Sequence, residues 1–366
     1  MFRINKLTNK QTNIKIKNGY IRIMNLLRKL LFPFAILYGW ITSIRNFLFD
    51  VGILKSSSFS IPVIAVGNLS VGGTGKTPQI EYLIRLLSDK YKIATLSRGY
   101  KRKSEGFVLA DRNVTSEILG DEPYQFYQKF PEIKVAVDAN RVNGIEQLLS
   151  QKEKPEVVLL DDAFQHRKVK AGFYIMLTAY DDLFYNDFML PTGNLREIRS
   201  GANRADIIVV TKCPSSISFD KQEEVKIRIS SYLKKNIPVF FSYIDYDDCV
   251  YSENEKISLG EFHVVDKLVV SGIAKPEPFF AYLQAAKKST MVFPDHHNFS
   301  ENDIKTILET ANGRKIVTTE KDFVRLKGKL PVDQLFYLPI KSSFVTSSNE
   351  FDKKILEYVG ASTRNS

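Results

Sequence analysis

Apolar residues fall into short uninterrupted runs along this chain. Ile61–Val66, Lys92–Leu96, Val157–Leu160, Ile207–Val210 and Val239–Ser242 are each four to six residues long, and the first four run into polar or glycine-bearing tips. Runs of that length without alternation are those of strands covered on both faces. Between them the apolar spacing turns helical, as in Ile80–Leu87. Strands alternating with helices predict an α/β fold: a mostly parallel sheet with helices on both faces and right-handed connections. A second α/β portion follows, with a strand at Leu268–Val270, a helix through Phe280–Leu283 and a strand beginning at Ile316. Residues 213–260 read as charged and irregular apart from Val239–Ser242. The pattern thus divides the chain into 1–49, a first domain over 50–212 and a smaller C-terminal α/β domain over 213–366.

The tip after Ile61–Val66 is the most informative. It reads Gly67-Asn-Leu-Ser-Val-Gly-Gly-Thr-Gly-Lys-Thr77 and leads into the helical spacing. Strand, glycine-rich loop, Lys-Thr and helix form the phosphate-cradling arrangement of P-loop NTPases. Backbone N–H groups from Ser70, Val71, Gly72, Gly73, Thr74 and Gly75 would face phosphate oxygens at a helix N-terminus that favours anions. Lys76 would reach the terminal phosphates, and Thr77 would offer its hydroxyl to Mg²⁺. The pattern G-x-x-x-x-G-K-[ST] is met except that Ser70 occupies the first glycine position. Such a site needs an acidic partner at another strand tip, and Asp161-Asp162 after Val157–Leu160 supplies it. Thr211-Lys212-Cys213-Pro214 stands where many GTPases carry Asn-Lys-x-Asp; the missing guanine-reading Asp argues for ATP.

Charge then changes the picture of the N-terminus. The chain of 366 residues carries 52 Lys plus Arg against 41 Asp plus Glu. No acidic residue precedes Asp50, and nine of the bases lie before it, which leaves 43 bases and 41 acids in the rest. A basic nucleic-acid-binding body is disfavoured, because such bodies spread charge over a face of the fold. Leu30–Ile44 is almost wholly apolar but shorter than the ~20 residues of a spanning helix. With Arg28 and Lys29 beside it, and Tyr38 and Trp40 as interface anchors, it reads as a helix lying in or dipping into a membrane surface. Met24 is a plausible alternative start. Two cysteines, Cys213 and Cys249, in neither CxxC nor CxxH spacing, read as ordinary reduced side chains. Four histidines with no HExxH and no Cys/His quartet make a structural zinc improbable.

Taken in order, the motifs resemble those of the lipid A disaccharide kinases, or tetraacyldisaccharide 4'-kinases. The similarity runs from about Met24 to about Tyr337. It includes GNLSVGGTGKTP (67–78), LSRGYKRK (96–103), GDEP (120–123), DANR (138–141), DDAFQHR (161–167), LPTGNLRE (190–197), SGIAKPEPF (271–279), FPDHHNF (293–299) and TTEKD (318–322). The resemblance implies transfer of the ATP γ-phosphoryl group to the 4'-hydroxyl of a tetraacylated glucosamine disaccharide 1-phosphate, giving lipid IVA, at the cytoplasmic face of the inner membrane. Its implied partners are the lipid substrate and the membrane surface, with neither nucleic acid nor an obligate protein partner. Two departures stand out. Ala163 replaces the usual glycine after the paired aspartates, and Ala171-Gly172 stands where relatives carry Arg-Asp.

A sugar hydroxyl is too weak an acid to ionise unaided at neutral pH, so a nearby carboxylate is expected. The resemblance gives that role to Asp121 of GDEP, oriented by His296 of FPDHH rather than His297. Glu122 is a candidate metal or water ligand beside Thr77, Asp161 and Asp162. Arg141 suits stabilisation of the transferring phosphoryl group, because a guanidinium fork fits phosphate geometry. Arg196 and Glu197 are expected to line the nucleotide or acceptor pocket, Ser97 and Arg98 to contact substrate phosphate, and Gln165 and His166 to support the paired aspartates. With His296 in the second domain and Asp121 in the first, closure is expected to assemble the site. A soluble P-loop GTPase or metallochaperone predicts a guanine-reading Asp near Thr211 and metal-binding His or Cys clusters, and neither is visible; a membrane-anchored ATP-binding scaffold leaves the Asp121, Arg141 and His296 set unexplained.

Overall fold

The computed structural model describes residues 28–295, 297–346 and 348–363. The larger sheet uses β1 (Val63–Asn68), β2 (Ile93–Ser97), β3 (Val108–Leu109), β4 (Lys134–Val137), β5 (Val157–Asp161), β6 (Phe173–Ala179), β7 (Ile207–Thr211), β8 (Val239–Tyr246) and, from far along the chain, β15 (Ile340–Phe344). Their order is β15-β8-β7-β6-β1-β5-β2-β4-β3; the two edge strands run antiparallel and the rest parallel. All six residues of β1 are buried, as an uninterrupted apolar run in a central strand requires. On one face α2 (Lys76–Leu87) packs Ile80, Leu83, Ile84 and Leu87 against Ile64, Val66 and Leu159. On the other, Ile145 and Leu148 of α4 (Arg141–Leu149) cover Val63, Ala65 and Leu96. Between them in sequence, α3 (Asp121–Lys129) precedes β4.

The smaller sheet is built from β9 (Cys249–Tyr251), β10 (Lys256–Ser258), β11 (Lys267–Ser271), β12 (Thr290–Val292), β13 (Lys315–Thr319) and β14 (Leu335–Leu338), in the order β10-β9-β14-β13-β11-β12. It carries α5 (Glu320–Leu326), which follows β13 directly. This unit is an insertion. The chain leaves the large sheet after Tyr246 and re-enters at Ile340, and those two residues are register partners. After β15, α6 (Ser348–Thr363) returns Phe351, Ile355 and Val359 to the main core.

The division therefore differs from the boundary expected at 212. β8, β15 and α6 belong to the larger sheet, because β15 pairs along β8 and Phe344, Phe351 and Phe240 pack ring against ring. The stretch 213–260 is also more regular than its charge implied. Phe219–Ser230 is a helix, capped by Ser218, that buries Gln222, Val225 and Ile229. So narrow a buried stripe leaves little periodic signal among charged neighbours. The Ala171-Gly172 departure has a steric cause: a Cβ on Gly172 would stand 2.1 Å from Tyr358 Oη of α6, which bonds the backbone N and O of Val63.

Helix α1 (Phe32–Asp50) is inside out relative to an ordinary surface helix. Its buried positions are the small or polar Ala35, Gly39, Thr42 and Asn46, while Phe34, Leu37, Trp40, Ile41, Ile44 and Phe47 are exposed, Trp40 at 68%. Among the described residues no helix is long and apolar enough to cross a membrane. Arg3, Lys6, Lys10, Lys15, Lys17 and Arg22 of the basic segment, and Met24, lie outside the described residues.

Candidate active site

The loop after β1 is fixed by close approach and by strapping. A Cβ on Gly67 would lie 2.7 Å from Phe164 Cβ, so only glycine lets β1 run against the chain leaving β5. Gly75 has φ +82°, a left-handed conformation that glycine adopts without strain, and it turns the chain into α2. The first half of the loop is held from outside: Val71 N donates to Asn194 O at 2.7 Å, and Ser70 bridges Leu195. The N–H of Val71, expected at phosphate, is committed to that strap. The second half is held by the β7 tip, where Thr211 Oγ1 donates to Thr74 O at 2.8 Å and Lys212 Nζ to Gly73 O at 2.6 Å.

Lys76 sits where α2 begins, 3.4 Å from Asn68 Oδ1 and 3.6 Å from Asp162 Oδ1, with Thr77 next in the first turn. Asp162 is left-handed at φ +48°, which sends the paired aspartates in different directions. Arg196 forks onto Asp162 at 2.9 and 3.2 Å and also reaches Asn68 Oδ1 at 2.6 Å. Burial opposes the charge of Asp162, yet Lys76 and the hydrogen-bonded Arg196 hold its pKa down to about 2. Asp161 goes the other way, to about 7: burial disfavours its charge, and Glu122 and Asp162 add repulsion that Lys76 and Arg141 only partly offset. Neighbouring carboxylates pushed apart in this way are a signature of a site built for chemistry.

A carboxyl with a raised folded pKa costs stability as pH climbs from its unfolded value towards the folded one, because the unfolded chain ionises first. Asp161→Asn is therefore expected to raise Tm at pH 8 by about 2 °C or more, with the gain vanishing towards pH 4. Thermal melts at the two pH values check this; a loss at pH 8 would show that Arg141 and Lys76 outweigh burial.

Arg141 is 2% exposed and lies beneath the aspartates rather than in the open cleft. Its Nη1 donates to Asp138 O at 2.5 Å and its Nη2 to Asp161 O at 3.4 Å, and burial lowers its pKa to about 10. His166 is lowered to about 4 by burial and by Arg141 and Arg98, so it is neutral at pH 7. Ser97 Oγ lies 3.5 Å from Asp161 Oδ2, whereas Arg98 is exposed. Gln165 does not touch the aspartates; its Nε2 donates to Asn68 O at 2.9 Å and to Glu197 Oε1 at 2.7 Å.

Glu197 corrects the expectation of a pocket-lining carboxylate. It is 0% exposed and accepts from Asn46 of α1 (2.8 Å), Gln165 and Arg204 (2.7 Å). Tyr38 Oη adds a bond to Arg196 O at 3.1 Å, so the 194–197 loop ties α1 to the phosphate loop. Glu197→Ala removes the one buried acceptor shared by Asn46, Gln165 and Arg204, although Arg204 keeps Phe164 O at 3.2 Å, and is expected to cost about 3 kcal/mol. Urea unfolding checks this, and a cost below 1 kcal/mol would show that water replaces the carboxylate.

Asp121 opens α3 and forms a short ion pair with Arg325 of α5, on the smaller unit. That contact reaches across the two sheets, 204 positions apart in sequence. His296 lies outside the described residues. His297 is committed elsewhere: its Nε2 lies 2.9 Å from Asp303 Oδ2, in the capping box that starts Glu301–Ala311. Asn68 and Arg325 were given no role by sequence reasoning, and Lys212 only a place at a polar strand tip. A fully buried Asn ending an apolar strand was a readable signal; nothing local marked Arg325.

Among the described residues no cluster of three or more His, Cys, Asp or Glu is arranged to grip a metal on its own. A P-loop magnesium needs fewer protein ligands, because phosphates and water fill its sphere. The donors here fit that case: hard oxygens throughout, with the buried Asp161 Oδ1 lacking a hydrogen-bond partner.

Residues 27–360 match the family described as Tetraacyldisaccharide-1-P 4'-kinase. The chain belongs to the tetraacyldisaccharide 4'-kinase family. A tetraacyldisaccharide 4'-kinase from Flavobacterium johnsoniae is 68% identical over 336 residues, covering 92% of this chain and 98% of that one. One from Bacteroides thetaiotaomicron is 44% identical, covering 93% and 95%. The crystal structure of LpxK from Aquifex aeolicus in complex with ATP superposes with a TM-score of 0.75 at 32% identity, covering 91% of this chain and 99% of that one. For a tetraacyldisaccharide 4'-kinase, the likeness in fold thus extends over nearly the whole chain.

Proposed function

We infer that this chain transfers the γ-phosphoryl group of ATP to the 4'-hydroxyl of a tetraacylated glucosamine disaccharide 1-phosphate, forming lipid IVA in lipid A biosynthesis. The observation that carries this reading is the meeting of Lys76, Arg196 and Asp162 at the tips of β1 and β5 in a chain of this family. The loop of residues 70–77 receives the triphosphate, through the N–H groups of Gly72, Gly73 and Gly75 and the ammonium of Lys76, while Thr74 N donates to Gly72 O at 3.1 Å. Arg196 sits beside it with its fork on Asp162 and gives the cleft a second cation.

When bound, Mg²⁺ would neutralise phosphate charge in this cleft, and Thr77, Asp161, Asp162 and Glu122 are the residues that would hold it. Asp121 takes the proton from the attacking hydroxyl, and His296 orients it. Arg141, from below, fixes the Asp161 backbone and adds positive potential without touching solvent. Closure of the inserted unit about the paired crossings at Tyr246 and Ile340 brings the two halves together. The absence of a base-reading Asp after Lys212 favours ATP over GTP.

The exposed apolar face of α1 supports a peripheral seat on the cytoplasmic face of the inner membrane, with the lipid acceptor delivered from that surface. Deleting residues 1–49 is expected to release the protein from anionic vesicles in a sedimentation assay; unchanged co-sedimentation would place the anchor elsewhere. The activity itself is tested by incubating the protein with [γ-³²P]ATP, Mg²⁺ and the lipid disaccharide 1-phosphate. Label in the lipid is expected, and label only in inorganic phosphate would overturn the reading.

A further inference from the structure

Three helices that carry chemistry in the reading above converge on one lysine. α2 opens at Lys76, α3 opens at Asp121, and α5 presents Arg325 to Asp121. Lys129, the last residue of α3, places Nζ 2.7 Å from Glu81 Oε2 on α2 and 2.6 Å from Glu320 Oε1 on α5. Glu81 is 1% exposed and also takes Arg85 at 2.8 Å and Gln125 Nε2 at 3.0 Å. The other oxygen of Glu320 accepts from Ile340 N at 3.3 Å, where the chain re-enters the large sheet.

Two buried carboxylates share this ammonium, Glu81 at 1% and Glu320 at 8% exposed, while Lys129 keeps about a fifth of its side chain in reach of solvent. Without Lys129 they would face each other as like charges. Burial first, then Glu81, pushes Glu320 up to about 7, while both carboxylates keep Lys129 charged against its own burial. Such a site tolerates one arrangement and resists others.

We propose that Lys129 is a positioning residue for phosphoryl transfer: it locks the inserted unit to the nucleotide-binding sheet in the register that sets Arg325 against Asp121. The lever is short. Glu320 and Arg325 are about 8 Å apart along α5, so a tilt of roughly 10° at Glu320 moves Arg325 by about 1 Å. Misplacement by 1 Å is enough to cost about 100-fold in rate. This inference rests on the reading of Asp121 as the proton acceptor, and the test separates the two.

The test uses the full chain with nitroxides at Lys152→Cys and Lys305→Cys, exposed positions on the two units, in a Cys249→Ser background. Lys129→Met is expected to broaden the spin-spin distance distribution and to lower kcat about 10- to 100-fold, with KM for ATP within about threefold of wild type. Lys129→Arg, able to fork onto both carboxylates, is expected to restore most of kcat. Glu320→Gln keeps shape and removes one partner. It is expected to act in the same direction, and the double variant to be no worse than the worse single. Should Lys129→Met fail to fold, Glu320→Gln carries the same readouts. Unbroadened distances, or strictly additive effects, overturn the lock. An active Asp121→Asn with broadened Lys129→Met distances overturns the proton-acceptor reading and leaves the lock standing.

Discussion

Lys76→Ala is expected to lower turnover at least ~100-fold while leaving the fold intact, the magnitude typical of removing one preorganised charge from a transferring group. Lys76 is firmly anchored. It is the first residue of α2, its stem is packed, and its ammonium lies between Asn68 and Asp162 at the tips of β1 and β5. Removing it leaves Asp162 still forked by Arg196, so no buried carboxylate is stranded and Tm is expected to stay close to wild type. The loss falls instead on charge developing between the β- and γ-phosphates, which Arg196 cannot follow because its fork is committed to Asp162 and Asn68. Steady-state kinetics and a thermal melt on the same preparation decide it. Near-normal turnover would refute the phosphate-loop assignment; lost turnover with a collapsed Tm would show a structural lysine.

Asp121→Asn is expected to reduce kcat by about 10²–10⁴-fold, the range for losing a general base, with little change in ATP affinity. Asparagine keeps the side-chain shape and an oxygen for Arg325, so the contact between the two units survives in weakened form. What disappears is the proton acceptor. ATP binding by calorimetry and kcat for the lipid acceptor separate the two consequences. A pure affinity effect would reassign Asp121 to nucleotide binding.

How much of this was legible beforehand depends on how local each feature is. The strand runs and the glycine-rich loop carry their own signal, because burial on both faces and left-handed turns restrict the residues at each position. Asp161 and Asp162 were legible as a pair at a strand tip but not in their roles. Only the left-handed turn at Asp162 and the cations around it split them into a buried carboxyl raised to about 7 and an ion pair lowered to about 2. Glu197 looked like a site residue because it stands next to Arg196. The chain bends at Arg196 and Glu197, and the structure turns Glu197 inward to Asn46 of α1.

Legible in the residues alone were the fold class, the phosphate loop, the family through its ordered motifs and a charged, apolar N-terminal segment. All of these are encoded by residues near one another in the chain. Tertiary structure alone decided that the smaller unit is an insertion between β8 and β15, that α1 turns its small face inward, and that Arg325 and Lys129 join helices far apart in sequence. Those facts depend on which surfaces meet after packing. A buried charge reveals its partner only once both have left water, so no local pattern announces it.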